Sequence, residues 1–600
     1  MSRVVEKRWV YRSVPDQQVV ERLTHERCPE VIARMLAQRG IVDAEEAAAF
    51  FRPDLEQLFD PFLMKDMDTA VQRVERALGD HERIMVYGDY DVDGTTAVAL
   101  VYSFLQRYTG ELIFHIPDRY SEGYGISFAG VERAHREGCS LIIALDCGIK
   151  AHDKVDRARE LGIDMIICDH HRPGDTLPAA LAVLDPKRSD CSYPFKELSG
   201  CGIGFKLVQA LAQRNGVPME ELLPLLDLVA VSTACDIVPV NGENRVLAHA
   251  GLKRLNNTPR PGIQAMLQMA NVRRRLCVTD LVFALGPRIN AAGRIEHGQQ
   301  AVELLLARDL QEAEQIALRV DAHNVQRQEL DKDITREALS MIAADPDAAD
   351  AWSTVLFKPT WHKGVIGIVA SRLIEQYYRP TIVLTESNGK VVGSARSVRG
   401  FDVYEAINAC SDLLEQFGGH MYAAGLTMRP EQVQPFRERF EAQVRATLPP
   451  LCRTPVEEVD LEVELDAFNA RFVNVLRHMA PYGPSNMRPT FVTRALVDTG
   501  SARVVGSDHL KLTVRPANGP GPRFDAIAFK QAHHLDLVRS GAPFSALFTL
   551  EENEWQGRTS LQLNIKDIKP GTDVSVHRAH MEPVLVNETH RPVEHDRAVQ

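Results

Sequence analysis

The stretch that decides the fold is YGDYDVDGTT, residues 87–96, which follows the short apolar run RIMVY at 83–87. Such a run is typical of a buried strand, and the apolar residues after Gly94 are typical of a helix. Three carboxylates, Asp89, Asp91 and Asp93, therefore lie between a strand and a helix. Acidic side chains do not occupy a core unless they are paired or bind a cation. The stretch predicts a strand–loop–helix unit with a chemical site in its loop.

A calcium-binding loop is one alternative for this stretch, because the acids follow a DxDxDG pattern. A loop of that kind needs a bidentate Glu at its end. The chain has the apolar segment 97–105 there instead, which excludes the calcium loop. A surface loop with a helix-capping Asp remains open when this stretch is considered alone.

Two further predicted strands end in polar residues of the same kind. Leu141–Leu145 is followed by Asp146, and Asp164–Cys168 is followed by Asp169, His170 and His171. In an open parallel sheet, ligands bind outside the carboxyl ends of the strands. Three strands would therefore bring their acids and imidazoles to one edge, and the set indicates a functional site more strongly than any one member does.

A fourth acid, Asp236, ends the apolar segment 228–238 and can project from buried backbone. Asp227 is a weaker candidate, since it can equally cap a helix. Carboxylates with imidazoles suit Mn²⁺ or Mg²⁺, and the absence of a clustered thiolate pair argues against structural zinc. The set is large enough for two divalent ions, an arrangement well suited to phosphodiester hydrolysis.

The 600 residues are too many for one hydrophobic core, so several domains are expected. Short apolar runs alternating with amphipathic helices predict an α/β class with parallel strands. The predicted parts are an N-terminal helical extension (1–80), a parallel-sheet catalytic domain (81–300), a connecting helix (301–345), a smaller α/β domain (346–450), a small antiparallel β domain (451–570) and a mobile tail (571–600).

Composition limits the classes of protein further. The net charge of −12 counts against a simple electrostatic nucleic-acid binder, although bound cations would offset part of it. The ten cysteines have no CxxC pair, which suits a reducing cytosol. The charged residues 1–10 do not fit a secretory signal, and the most apolar stretch, 222–238, is interrupted by a proline and two acids. We therefore expect a cytoplasmic protein with no membrane span.

The chain carries a series of motifs that together resemble one known group of enzymes. YGDYDVDG with Asp146, the triplet at 169–171 and Asp236 resembles the DHH phosphoesterase superfamily. Later segments are similar, within that superfamily, to the bacterial RecJ exonuclease family, and the resemblance covers nearly all of residues 80–565 in the same order. These segments are GPRINAAGR (286–294), WHKGVIGIVASRL (361–373), GSARSVRGFDVYEAI (393–407) and FGGHMYAAG (417–425).

The resemblance implies a fold and an activity. The catalytic domain would be a DHH domain, the smaller α/β domain a DHHA1 domain and the β domain an OB-like barrel. The protein would degrade single-stranded DNA from its 5′ end to mononucleotides with Mn²⁺ or Mg²⁺. It would act in recombination and repair, including mismatch repair, with a single-strand DNA-binding protein and a helicase as partners, and we expect a monomer.

The resemblance also implies roles for individual residues. The metal ligands would be Asp89, Asp91, Asp93, Asp146, His170 and Asp236. Five residues would be catalytic: Asp91, Asp93, Asp146, His170 and His171, with the His171 imidazole facing the phosphate.

Substrate contacts are predicted in both α/β domains. Arg119 follows a strand in PDRYSEGYG and should reach the same sheet edge as the acids. Arg288 and Arg294 flank Asn290 in a predicted glycine-bounded loop, where guanidinium groups could hold a phosphate. In the second domain, the candidates for the other wall of a DNA-binding cleft are Ser394, Arg396, Gly419 and His420. Of these, Ser394 and Arg396 are the candidates for the 5′-phosphate.

The β domain is predicted to track the single strand through stacking and charge. The candidates are Tyr482, Arg488, Phe491, His509, Lys511 and Phe529, although aromatic residues of small barrels are mostly core. Two alternatives remain open. One is a DHH-family phosphodiesterase acting on short oligonucleotides, cyclic dinucleotides or pyrophosphate. The other is a non-catalytic binding module, which the full set of acids disfavours.

Overall fold

The computed structural model describes residues 6–13, 16–26, 28–295, 297–555, 558–572 and 576–578. Most of the predicted tail at 571–600 lies outside these residues. The chain forms two compact units, of which one comprises Glu45–Ile334 with Val473–Arg488 and the other comprises the rest. No helix in the described part of the chain is long and apolar enough to cross a membrane.

The N-terminal region differs from the predicted helical extension because it begins with a strand. Its elements are β1 (Arg8–Tyr11), α1 (Gln17–His25), α2 (Glu30–Ala37) and α3 (Ala44–Phe51). Strand β1 pairs in parallel with residues 456–459, and the fully buried Trp9 donates a hydrogen bond to Asp567 at 2.7 Å. A four-residue strand shows no clear period, and its partner lies at the other end of the chain, so the local sequence did not indicate it.

The catalytic domain is built on a five-stranded parallel sheet of order β3-β2-β4-β5-β6. Its strands are β2 (Arg83–Gly88), β3 (Leu112–His115), β4 (Cys139–Leu145), β5 (Asp164–Cys168) and β6 (Ala182–Leu184). Its first helices are α4 (Met67–Gly79), α5 (Val92–Leu105), α6 (Phe128–Arg136), α7 (His152–Glu160), α8 (Gly200–Arg214) and α9 (Leu226–Cys235). The three predicted strands are confirmed, since buried parallel strands read as continuous apolar runs.

Helices continue the catalytic domain and lead out of it. They are α10 (Gly242–Asn257), α11 (Pro261–Met269), α12 (Val278–Asp280), α13 (Gly286–Ile295), α14 (Gln299–Leu306) and the 35-residue α15 (Leu310–Ala344). A π-helical turn, Leu281–Leu285, precedes α13. The predicted connecting helix thus consists of the end of α14, a short break and α15.

The prediction of a glycine-bounded loop at 286–294 was wrong, because this segment is helix α13. Its glycines allow close packing. A Cβ on Gly293 would lie 2.7 Å from the Tyr90 carbonyl oxygen, and one on Gly286 would lie 2.8 Å from the Cys235 sulfur. Glycine is needed where elements approach this closely, because it has no side chain. In a sequence, glycines kept for close packing cannot be told from glycines of a flexible loop.

The second α/β domain has a mixed sheet of order β10-β11-β9-β8-β7, in which only β7 and β8 are parallel. Its elements are β7 (Thr354–Phe357), α16 (Ile366–Tyr377), β8 (Thr381–Ser387), β9 (Lys390–Arg396), α17 (Val403–Asn408), β10 (Gln416–His420), β11 (Ala423–Met428) and α18 (Val433–Thr447). The predicted strands at 354–357 and 381–384 and the helix between them are confirmed.

The C-terminal β domain closes on itself. Its elements are β12 (Val456–Val459), β13 (Leu461–Glu462), α19 (Ala470–His478), β14 (Thr490–Asp498), β15 (Arg503–Val505), β16 (His509–Pro516), β17 (Phe524–Ala528), α20 (Leu535–Arg539), β18 (Phe544–Trp555), β19 (Arg558–Pro570) and β20 (His577–Arg578). The pairing runs β14-β18-β19-β17-β16, and β16 pairs again with β14. Within this ring only β17 and β19 are parallel.

Candidate active site

The loop after β2 is shaped by its own backbone. Asp91 caps helix α5, and its Oδ1 accepts a hydrogen bond from the Gly94 amide at 3.0 Å. A Cβ on Gly94 would lie 2.4 Å from the Asp89 carbonyl oxygen, so only glycine fits there. The turn therefore folds tightly and directs Asp89, Asp91 and Asp93 toward the carboxyl edge of the sheet.

Asp93 is fixed by three donors from two other helices. Its carboxylate accepts hydrogen bonds from the Gly200 amide at 2.6 Å and the Cys201 amide at 2.8 Å, both at the start of α8. The Ser232 hydroxyl of α9 donates to it at 2.6 Å. Amides at a helix N-terminus stabilise negative charge. The side chain is therefore held in one position before any ligand binds.

The ends of β4, β5 and α9 converge around the buried side chain of His170. Its Nε2 lies 3.2 Å from Asp146 Oδ1, 3.5 Å from Asp236 Oδ2 and 3.8 Å from Asp93 Oδ2. Two sets of possible metal ligands share His170, namely Asp146 with His171 and Asp93 with Asp236, and in each set the ligand atoms lie within 4.8 Å of one another. The predicted convergence of these strand ends is confirmed.

Several polar atoms of this cluster are buried without a hydrogen bond. They are Asp89 Oδ2, Asp146 Oδ1, Asp236 Oδ2 and both ring nitrogens of His170. Burial, reinforced by neighbouring carboxylates, raises the pKa of Asp89 to about 8 and that of Asp236 to about 9. The same causes raise the pKa of Asp146 well above its usual value. Unpaired buried carboxylates are costly, and oxygen and imidazole donors suit a divalent cation. The residues present therefore fit Mn²⁺ or Mg²⁺.

His171 is oriented by a residue that sequence reasoning did not place among the catalytic groups. Asp169 Oδ1 lies 2.8 Å from His171 Nδ1 and accepts the backbone amides of His170 and His171. Burial opposes ionisation of Asp169, but these hydrogen bonds hold its pKa at about 2. Burial likewise opposes the charge on His171, yet Asp169 raises the His171 pKa to about 9. The imidazole is therefore a cation at neutral pH.

An aromatic group beside His171 was also missed. The Tyr124 hydroxyl lies 3.2 Å from His171 Nε2, although 57% of the tyrosine is exposed. Its ring packs edge-on against Tyr90, and the Arg119 guanidinium lies 3.9 Å from the Tyr90 ring centre. Arg119 therefore reaches the site edge as predicted. The sequence signal for Tyr124 was its place in EGYG, in the same loop as Arg119.

Of the predicted phosphate-binding residues of α13, Arg288 has its side chain engaged within the catalytic unit. Arg288 donates to Asp321 Oδ1 at 2.9 Å and to the Ala284 carbonyl at 2.7 Å. Asn290 is half-buried. The Arg294 carbonyl accepts a hydrogen bond from the Tyr120 hydroxyl. A role for these three side chains in binding DNA remains a prediction.

Strand pairing in the second α/β domain groups the other predicted contacts. Arg396 pairs with Ala423, which pairs with His420, and Ser394 lies two residues earlier on the same face of β9. Arg396 donates to the Ser394 hydroxyl at 3.1 Å. Gly419 has φ +149°, and a Cβ there would lie 2.3 Å from the Ala423 carbonyl oxygen. Ser394, Arg396 and His420 thus share one side of this sheet.

One prediction for the β domain was wrong. Phe491 is fully buried, with its ring centre 5.2 Å from that of Phe468 and 6.2 Å from that of Phe548. It is a core residue of the strand ring and cannot stack on DNA. Alternating hydrophobicity marks inward and outward positions, but it does not say which face of a ring is inside.

The other candidates outside the α/β domains remain predictions. Phe529 is 53% exposed, and its ring centre lies 5.2 Å from that of His509, while Lys511 is half-buried on β16. Arg488 lies over the Tyr482 ring at 4.7 Å. The segment 473–488, which carries that pair, belongs to the same unit as the catalytic domain.

Asp227, the weaker metal candidate, is a structural residue. Its two carboxylate oxygens accept Arg260 Nε at 2.8 Å and Arg260 Nη2 at 2.7 Å. We expect Asp227→Asn to lower the free energy of unfolding by about 1–3 kcal/mol, because the guanidinium would lose its charged acceptor. DNA hydrolysis and its response to Mn²⁺ should stay unchanged. Urea unfolding and a nuclease assay measure both, and a lost metal response at normal stability would contradict this role.

Comparison with known proteins relates this architecture to characterised enzymes. Three family models match: the DHH family N-terminal domain at residues 83–233, the DHHA1 domain at 351–446 and the RecJ OB domain at 459–567. The single-stranded-DNA-specific exonuclease RecJ of Bacillus subtilis is 38% identical over 92% of this chain and 70% of its own length. That of Escherichia coli is 34% identical over 90% of this chain and 96% of its own length. The predicted OB-like domain is confirmed.

Solved structures agree with these relationships. The crystal structure of RecJ in complex with Mn²⁺ from Thermus thermophilus matches with a TM-score of 0.80 and 29% identity, over 95% of this chain and 80% of that one. A structure of exonuclease RecJ bound to manganese is 35% identical, with a TM-score of 0.57, over 66% of this chain and 97% of that one. The fold class predicted from the sequence is thus confirmed.

Proposed function

The chain belongs to the RecJ family of single-stranded-DNA-specific exonucleases, and from this premise we propose that it is a metal-dependent exonuclease that hydrolyses single-stranded DNA. We propose further that it degrades the strand from its 5′ end to mononucleotides. The observation that carries the proposal is the cluster of unpaired carboxylate and imidazole atoms buried around His170.

The cluster would hold two Mn²⁺ or Mg²⁺ ions. The proposed ligands are Asp89, Asp91, Asp93, Asp146, His170 and Asp236, and the two sets that share His170 support a pair of ions. Bound divalent ions supply an activated water and neutralise charge that develops on the phosphate. Asp89, Asp93, Asp146 and His170 are buried away from bulk water, and this strengthens their electrostatic contribution.

The chain's own groups would position the substrate. His171, a cation oriented by Asp169, would donate a proton from Nε2 in a hydrogen bond to a phosphate oxygen, with Tyr124 as its present partner. Arg119, Arg288, Asn290 and Arg294 would contact the backbone phosphates. Ser394 and Arg396 would receive the 5′-phosphate, and Gly419 and His420 would contact the DNA end beside them. The proposed polarity rests on the family. The groups of the catalytic unit would orient the strand, so that a phosphodiester is presented to the cluster.

The cellular setting is proposed from the family alone. We place the enzyme in DNA recombination and repair, including mismatch repair, in the cytoplasm and as a monomer. A single-strand DNA-binding protein and a helicase are the proposed partners. The alternative is a phosphodiesterase for short oligonucleotides or cyclic dinucleotides, but a closed strand ring matching an OB domain at 459–567 favours a polymer.

End-labelled DNA tests this function. With Mn²⁺, a single-stranded oligonucleotide labelled at the 5′ end should release its label first as a mononucleotide, whereas a 3′ label should stay on long products until late. Blunt duplex of the same sequence should be cut at least about tenfold more slowly, because a single-strand specificity is proposed. Equal cutting of the duplex, early loss of a 3′ label, or activity confined to di- and trinucleotides would each refute the proposal.

A further inference from the structure

Three large apolar side chains are exposed on segments of the catalytic unit that are linked to the segment carrying Asp236. They are Ile237 at 69% exposure, Phe283 at 75% and Leu318 at 63%. We call them the apolar strip. Single exposed apolar residues need no explanation. These three, however, lie on segments that are joined by hydrogen bonds to one another and to the segment that carries Asp236.

Ile237 directly follows the proposed ligand Asp236. Its φ is +62°, in the left-handed region that β-branched residues rarely adopt. The turn directs the isoleucine side chain into solvent, while the Asp236 carboxylate stays within 3.5 Å of His170. Unfavourable backbone that persists beside a site is a reason to look for function there.

Phe283 lies on the π-helical turn Leu281–Leu285, a rare conformation that is frequently found at functional sites. This turn packs on the end of α9. Cys235, the residue before Asp236, donates from its sulfur to the Leu281 carbonyl at 3.6 Å. Gly286 packs closely on the same sulfur. The π turn is therefore fixed next to the segment that carries Asp236 and Ile237.

The helix that carries Leu318 is linked to the other two segments through an ion pair. Leu318 lies one helical turn before Asp321 on α15, and Asp321 pairs with Arg288 at 2.9 Å. Arg288 also donates to the carbonyl of Ala284, the neighbour of Phe283. The Arg288 guanidinium, which could pair with phosphate, therefore links the helix that carries Leu318 to the turn that carries Phe283.

We propose that the apolar strip holds the bases of single-stranded DNA next to the scissile phosphate, with Phe283 as the main stacking residue. This inference rests on the proposed function. A strand whose phosphate lies at the cluster must place the neighbouring bases on adjoining surface, and base faces are apolar. Stacking tolerates every base, so the strip would bind the strand without reading its sequence.

Phe283→Ala tests the inference with the full-length enzyme and Mn²⁺. On a thymidine oligonucleotide, KM should rise between about 5- and 150-fold, the range expected for one lost base–aromatic contact, with kcat within about twofold of wild type. Abasic residues should then be placed one at a time along the oligonucleotide. At the position that contacts Phe283, wild type and variant should have the same KM.

Tyr108→Ala is the matched control. Tyr108 is 47% exposed and lies beyond the end of α5 that is opposite to the cluster, so its loss should leave KM unchanged. Ile237→Gly is the second test, since glycine accepts the positive φ. We expect this variant to keep the wild-type unfolding temperature while its KM rises severalfold, a pattern that misfolding cannot produce.

The outcomes separate the two levels of proposal. Wild-type protein that does not hydrolyse single-stranded DNA overturns the proposed function. Active wild type with an unchanged KM in both Phe283→Ala and Ile237→Gly overturns the strip, as does an effect that persists at every abasic position. In that case the exposed residues serve another occupant, such as a protein partner.

Discussion

Asp146→Asn is expected to reduce kcat for single-stranded DNA hydrolysis by more than about 100-fold while DNA binding persists. Asp146 Oδ1 is buried, makes no hydrogen bond and lies 3.2 Å from His170. An amide keeps the shape but cannot supply the charge of a ligand. Residues that only support metal ligands cost 10- to 100-fold when changed, so a ligand itself should cost more. A nuclease assay measures the loss, and fluorescence anisotropy with the same oligonucleotide measures binding.

The metal-free stability of the same variant should not fall, although its activity does. Burial and neighbouring carboxylates raise the pKa of Asp146, which means that its charge destabilises the metal-free fold. Metal-free Asp146→Asn should therefore unfold at a temperature no lower than wild type and gain less from Mn²⁺. Asp153→Asn on the exposed face of α7 is the charge-matched control. Loss of DNA binding together with activity would show that Asp146 is mainly structural, and full activity would show that it is no ligand.

The part of this site that could be predicted from the sequence depends on one rule of sheet geometry. Parallel strands that are buried on both faces appear as continuous apolar runs, and polar residues at their carboxyl ends must meet at one edge. Asp93, Asp146 and His170 come from different elements, yet this rule brings them together without any knowledge of loops.

The roles of neighbouring polar residues could not be separated in this way. Asp169 and Asp146 both follow buried strands, and the sequence offers no difference between them. In the structure, Asp169 is saturated by the amides of Ile149 and His171 and by the His171 ring, whereas Asp146 Oδ1 has no hydrogen-bond partner. Only hydrogen-bond partners decide which acid orients a histidine and which binds a cation.

Long-range packing explains the remaining errors. In the sequence, the glycines of 286–294 resemble those of a loop. In the structure they are needed because Tyr90 and Cys235 pack directly against the helix. Phe491 is a possible stacking residue by sequence, but on β14 it faces the interior of the strand ring and packs against Phe468 and Phe548. In each case a partner distant in sequence sets the outcome, and periodicity within a short window carries no information about that partner.

Without divalent metal, the protein is expected to lose stability as pH rises from 6 to 8, and with Mn²⁺ it should not. Burial raises the pKa of Asp236 to about 9 and that of Asp89 to about 8, whereas the unfolded chain ionises near 4. The stability that an acid with a raised pKa contributes is fully present below its pKa in the unfolded chain. It is lost as pH rises toward its pKa in the folded protein. If folding takes up one proton, the free energy of unfolding falls by about 2.7 kcal/mol when the pH rises by two units.

Thermal unfolding at pH 6, 7 and 8, with EDTA or with Mn²⁺, measures this difference. The melting temperature in EDTA should fall by roughly 5–11 °C across the range, because about 1 kcal/mol shifts the unfolding of a domain by about 2–4 °C. Bound Mn²⁺ takes the carboxylates in their ionised form, so its stabilising effect should grow with pH. Asp236→Asn removes one of the titrating acids and should make the fall of the melting temperature in EDTA smaller, whereas Asp153→Asn should not. A melting temperature in EDTA that is independent of pH would mean that these acids are already ionised in the metal-free fold, and that their charges are balanced by something other than a cation.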